Sequence, residues 1–211
     1  MAVAIEDLRK QLREKFPQAH ASVPVTEARS SARIGPMTEP FAPHLFPIGA
    51  ISEVIGAGTG MLMASLLGEP EKSVDFPEFV LIDGGDGFDP ASFSPGACSR
   101  LLWVRCREAE EMLKSTDLLV RDGNVPFVLL DTCGIDPREL RRLPASVWWR
   151  LKLAAESNGC RLVVMSIHAQ VPCAAVRLAM NARLELADFD LPRQELLRRL
   201  SVTRERERRS G

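Results

Sequence analysis

The chain is short of most features that would assign it quickly to a class. It has no Cys-x-x-Cys pair, and its five cysteines, Cys98, Cys106, Cys133, Cys160 and Cys173, are an odd number lying in or beside apolar runs. That pattern excludes a disulfide framework and reads as small buried hydrophobes. The three histidines, His20, His44 and His168, show no ligand spacing with them, so no metal site is expected. No apolar run reaches the ~18 residues of a membrane span. The opening MAVAIEDLRKQLREKF is charged within its first seven residues and has no apolar signal core, so a cytoplasmic protein is expected. Net charge is also missing. With 27 Lys+Arg against 28 Asp+Glu the chain carries −1, which argues against a globally basic nucleic-acid binder while leaving room for a local patch. There is no internal repeat.

What remains is ordinary globular composition: 211 residues, 45% hydrophobic and 26% charged. That is enough for one sizeable core with a short arm at either end. Residues 1–47 stand apart. Ile5, Leu8, Leu12 and Phe16 share one face of a short amphipathic helix. The stretch that follows, rich in Pro, Ser and Ala, reads as an extended connector over 17–45.

From residue 48 the pattern alternates. Apolar strands are expected at 51–56, 78–83, 100–106, 126–131 and 161–167, with helices at 61–68, 107–123 and 137–158 between them. A short helix over 172–180, a last strand over 182–186 and a basic helix over 191–200 complete the pattern. Apolar strands without polar alternation are covered on both faces, so residues 48–190 should form a three-layer α/β core with a mostly parallel sheet. The adjacent Trp148 and Trp149 point about 100° apart on a helix; both are expected in core or helix-packing contacts, with one buried and the other half-exposed as the alternative. Trp103 should be core.

The strand–turn–helix at 51–68 occupies the place of a phosphate-binding loop, where backbone N–H groups and a helix N-terminus surround an anion. The turn holds Gly56, Gly58 and Gly60. The full pattern G-x-x-x-x-G-K-[ST] needs a Lys for the outer phosphates and a hydroxyl for magnesium. Here Met61 and Leu62 follow Gly60, and the loop is one residue short. Each lost charge-assisted contact costs ~1.5–3 kcal/mol. Asp131 ends the strand PFVLLD, where a magnesium-associated carboxylate would sit. Asp83, Asp86 and Asp89 lie in DGGDGFD, a string that reads as a turn with Asp accepting local backbone N–H groups.

Taken in order, EVIG, the Gly turn, FVLIDGGDGFDP, FVLLD, RLVVMSIHAQ and NARLEL resemble the core of the RecA recombinase superfamily over about residues 45–187. Asp83 and Asp89-Pro90 keep the family's frame there. The resemblance places the family's catalytic Glu on Gly85, its phosphate-loop Lys and Thr on Met61 and Leu62, its second-strand acid on Asp131, and its γ-phosphate sensor near His168 or Gln170. Within the superfamily the chain is most similar to the ImuA group. The leader helix, the Pro-bearing linker, FPIGAISEVIG at 46–56 (the group's P-x-G-A-x-x-E-V-x-G) and an Arg-rich extension carry that likeness. It implies a non-catalytic adaptor of bacterial error-prone translesion synthesis that needs no cofactor. Its partners would be an ImuB-like Y-family polymerase homologue and a C-family polymerase, with RecA filaments or a second copy as further candidates and direct DNA contact left open. A divergent DNA-stimulated ATPase and a SulA-like division inhibitor are the alternatives.

Residues 191–211 are the expected partner-binding tail. Arg193, Arg198, Arg199, Arg204, Arg206, Arg208 and Arg209 oppose Glu195, Glu205 and Glu207, a net +4. Leu191, Leu196, Leu197 and Leu200 would form an apolar strip beside that basic face.

Overall fold

The computed structural model describes residues 33–34, 45–56, 59–67, 78–182 and 184–207. The expected leader helix over 5–16 lies outside them. Within the expected connector, Arg33–Ile34 form a two-residue strand, β1. Then follow β2 (Ala50–Gly56), α1 (Thr59–Leu67), β3 (Phe79–Asp83), α2 (Pro95–Ser99), β4 (Leu101–Arg105), α3 (Ala109–Asp122) and β5 (Phe127–Asp131). After these come α4 (Pro137–Arg142), α5 (Ser146–Asn158), β6 (Arg161–Ser166), β7 (Val176–Ala182), α6 (Arg193–Arg199) and β8 (Leu200–Glu207).

The strands form one sheet in the order β1-β8-β7-β2-β6-β5-β3-β4. Every neighbouring pair from β7 to β4 is parallel, and β8 and β1 add antiparallel at one edge. Apolar side chains alternate to opposite faces, as the pleat requires. Val80, Ile82, Val128, Leu130, Leu162 and Val164 face the layer holding α3 and α5. Phe79, Leu81, Phe127, Leu129, Val163 and Met165 face the layer holding α1. Both faces are covered, which is why these strands read as unbroken apolar runs. α3 ends at Gly123 and α5 at Gly159, both in the left-handed region, the usual glycine stop.

Three expectations are corrected. The helix expected over 137–158 is two helices, α4 and α5, because Pro144 forces Leu143 into an extended conformation (φ −66°, ψ 128°). The segment expected as a helix over 172–180 contains strand β7 instead. Its alanines favour a helix, but Val176, Leu178 and Met180 alternate into the core at 5%, 0% and 1% exposure, and burial of a period-two face outweighs helix propensity. The strand expected over 182–186 therefore ends at Ala182, and Leu186–Asp190 form a 3-10 turn closed by the reciprocal Glu185–Asp188 box.

Among the described residues, the helix expected over 191–200 spans Arg193–Arg199. Leu200–Glu207 pair antiparallel with β7, with Val202 opposite Met180 and Leu200 opposite Ala182. The apolar strip expected to meet a partner serves the chain's own core: Leu196 and Leu200 are buried and Leu197 packs beside them. The sheet thus runs past residue 190.

Trp148 is buried at 4% and Trp149 exposed at 47%, so the two rings divide instead of both packing in the core. Trp103 is half-buried in β4, with the Arg105 guanidinium 5.0 Å from its ring centre. All five cysteines are free; Cys106, Cys160 and Cys173 are buried, and Cys98 and Cys133 are half-buried. Burial pushes the Cys160 thiol up to about 11. Among the described residues no helix is long and apolar enough to cross a membrane.

Candidate functional site

In an open parallel sheet, ligands collect outside the carboxyl ends of the strands. At that end, beside α1 and between the loops after β3 and β5, lies a cavity of about 390 Å³. Met61, Met63, Phe88 and Phe93 supply apolar walls, and Asp89 and Asp131 supply carboxylates. No lysine or arginine lines it among the described residues.

Asp131 reaches this end because β5 pairs in register with β3, setting Asp131 beside Asp83. Its Oδ1 accepts the Cys133 N–H at 2.9 Å. Burial pushes the Asp131 carboxyl above the usual range, and the charge of Asp83 adds to that push. Asp83 is consumed by its own loop. Its Oδ1 accepts from the N–H groups of Gly85 (3.2 Å) and Gly87 (3.0 Å), and its Oδ2 from Phe88 N–H and Trp103 Nε1. The turn reading of DGGDG therefore holds. Asp86 sits at φ 54° and pairs with Arg105, whose hydrogen bond holds its carboxyl below the usual range. Asp89 caps the following 3-10 turn, its side chain accepting from Ala91 N–H.

Gly85 stands where no side chain fits. A Cβ there would lie 2.3 Å from Gly134 Cα, and one on Gly134 would lie 2.2 Å from Gly85 Cα. The two loops meet backbone to backbone, and Gly84 N–H reinforces the contact by donating to Asp131 O at 3.0 Å.

Of the phosphate-loop candidates, Gly56 has φ +107°, and a Cβ on it would lie 2.3 Å from Met180 O. Close approach of β7 explains this glycine without a ligand. Gly58 lies outside the described residues. Gly60 opens onto space, Met61 lines the cavity, and Leu62 is fully buried in the core. Among the described residues a magnesium-bound triphosphate would find two carboxylates for its metal and no cation for its outer phosphates. The described residues do not fit that group.

No arginine of the described C-terminal elements lines this cavity. β8 is separated from β5 by β7, β2 and β6. Arg199 pairs with Asp188, Arg193 and Arg198 lie on α6, Arg204 and Arg206 on β8, and Arg208 and Arg209 lie outside the described residues.

Sequence reasoning passed over Glu53, which lies wholly buried in central strand β2. Its Oε1 accepts the N–H of Gln170 (2.6 Å) and Val171 (3.1 Å) and the Ser166 hydroxyl (3.3 Å). Its Oε2 pairs with Arg177 Nε at 2.6 Å. Arg177 also donates to Val171 O, and Gln170 Nε2 to the Thr132 hydroxyl at 2.7 Å. This network fixes the loop after β6. The available signal was a carboxylate inside an apolar strand, where an ionised group must be paired.

No protein-family model matches the sequence, and no curated protein matches it. The backbone is similar to the crystal structure of the RadB recombinase, with a TM-score of 0.55 at 15% identity over 77% of this chain and 83% of that one. The chain therefore has a RecA-like fold. In all, 303 solved chains match, so the fold alone selects no activity.

Proposed function

We propose that this RecA-like chain works by binding rather than by turning over nucleotide, as an adaptor in the bacterial DNA-damage response. The observation that carries this reading is the Gly85–Gly134 contact. The position that the RecA resemblance gives to the residue orienting the attacking water is filled by neighbouring backbone. The apolar Met61 and buried Leu62 point the same way. So does the described lining of the cavity, which offers no cation to the outer phosphates of a nucleotide.

The finer reading rests on the ImuA likeness. The core supports error-prone translesion synthesis, and the Arg-rich C-terminal region holds an ImuB-like Y-family protein, with a C-family polymerase in the same assembly. Arg forks match partner carboxylates in pairs.

The test is affinity capture from DNA-damaged cells of the source organism. A chain stopped at Asp190 would also lose β8, so the comparison is with Arg198→Glu, Arg208→Glu and Arg209→Glu combined. Recovery of Y-family and C-family polymerase components by the unaltered chain, lost in the triple variant, supports the adaptor and its tail contact. Recovery of a tubulin-like division protein instead moves the function to division arrest. Asp131 at the cavity is the feature that favours the alternative of a divergent DNA-stimulated ATPase, and ATP turnover decides that case.

A further inference from the structure

A second cavity of about 400 Å³ opens between α4, the start of α5 and the loop after β6. It is separate from the cavity beside α1 and differs from it in charge. Leu140, Leu143, Trp148 and Ile167 wall it with apolar surface, and Arg141 and His168 stand at it. No carboxylate lines it among the described residues. Ile167 is 52% exposed, a large apolar side chain left at the rim. Arg138, Arg141 and Arg142 are all exposed on α4. None of the three takes part in an ion pair among the described residues.

The floor of this groove is fixed. Gln170 is tied through its N–H to Glu53 and through its side chain to Thr132, and Val171 is held by both Glu53 and Arg177. A preformed floor lowers the ordering cost of binding.

We propose that the groove docks an acidic peptide segment of a partner protein. One apolar side chain fills the cavity, and flanking carboxylates meet Arg138, Arg141 and Arg142. The volume suits one or two side chains rather than a long helix. Charge complementarity selects carboxylates, because Arg141 lines a mostly apolar hole that holds no acid among the described residues, and Arg138 and Arg142 are exposed on the same helix. A single-stranded nucleic acid is less well served. Base stacking is strongest on a large open aromatic face, and Trp148, the one Phe or Trp among the described lining residues, is 4% exposed, which leaves only the small His168 ring open. In the sheet, β8 is separated from β6 by β7 and β2, and occupancy of the groove is independent of whether the chain hydrolyses ATP.

The test selects random short peptides displayed on phage against the full-length protein, then measures the enriched peptides by fluorescence anisotropy beside an oligothymidylate. Enriched peptides should carry net negative charge around one apolar anchor and bind more weakly as salt rises. Arg141→Glu and Ile167→Asp, both at exposed positions, should each weaken binding about tenfold or more with unchanged melting curves. Leu118→Asp, on the outer face of α3, should leave binding unchanged. The proposal is overturned if no acidic class is enriched, or if the enriched peptides bind both groove variants as well as the parent. It is equally overturned if only the oligothymidylate binds and the groove variants abolish that binding, which would make the groove a nucleic-acid site.

Discussion

Gly85 and Gly134 pack so closely that a Cβ added to either would lie 2.3 or 2.2 Å from the other's Cα. The contact joins the loops after β3 and β5 across the mouth of the cavity beside α1. Gly85→Ala should therefore destabilise the protein by about 1–3 kcal/mol through overpacking, and Gly85→Glu by more. Urea unfolding measures both. An unchanged midpoint for Gly85→Glu would mean that the loops part freely and that a side chain can stand there.

Glu53 and Arg177 form a buried ion pair between neighbouring strands β2 and β7. Glu53→Ala leaves Arg177 without its partner and should cost about 3–5 kcal/mol. The double replacement Glu53→Leu with Arg177→Met should recover much of that loss, since apolar substitution of a whole buried pair is often neutral. Denaturant unfolding of the single and double variants gives the coupling. Additive losses would count against the pair as a unit.

Asp131 makes stability depend on pH in an uncommon direction. Burial raises its carboxyl above the ordinary value of 3.8, so the folded state binds a proton more readily than the unfolded one. Its contribution is complete below that ordinary value and is lost as pH rises through the raised one. Asp131→Asn, which keeps an acceptor for Cys133 N–H, should match the parent at low pH and exceed its melting temperature at neutral pH. A gap constant with pH would contradict this assignment.

The adjacent tryptophans should separate in mutation. Trp148→Ala empties a core position and should cost about 3–5 kcal/mol. Trp149→Ala, on the solvent side, should stay within about 1 kcal/mol. Equal losses would place both rings in the core.

Cys160 should resist alkylation in the folded protein, since it is 1% exposed and burial pushes its thiol up to about 11. Iodoacetamide at mildly basic pH, followed by mass spectrometry, should modify Cys160 only after denaturant is added. Labelling of the native protein at Cys160 would mean local opening of the strand start at β6.

Much of the three-layer core was legible because FVLID and FVLLD are short apolar runs, each closed by an aspartate, and helices fall between them. The helical turn set Trp148 and Trp149 about 100° apart, but their division into one buried and one exposed ring is seen only in the packing. β7 was hidden because its alanines resemble a helix, and its period-two face becomes visible only once Val176, Leu178 and Met180 are seen in the core. β8 was hidden for the opposite reason. Its Arg and Glu residues read as part of a charged partner-binding tail, while the burial of Leu200 and Val202 against the α1-side cluster decides for a strand. At the candidate site, the apolar character of Met61 and Leu62 after the Gly turn could be read directly. The Gly85–Gly134 contact and the Glu53–Arg177 pair join residues far apart in sequence, and no local pattern announces either.

The most direct measurement of the central claim is ATP turnover by the purified full-length protein with magnesium, with and without single-stranded DNA. Turnover should stay at background in both cases and be the same for Asp131→Ala. DNA-stimulated turnover that Asp131→Ala abolishes would contradict a binding role and make the cavity beside α1 a working nucleotide site.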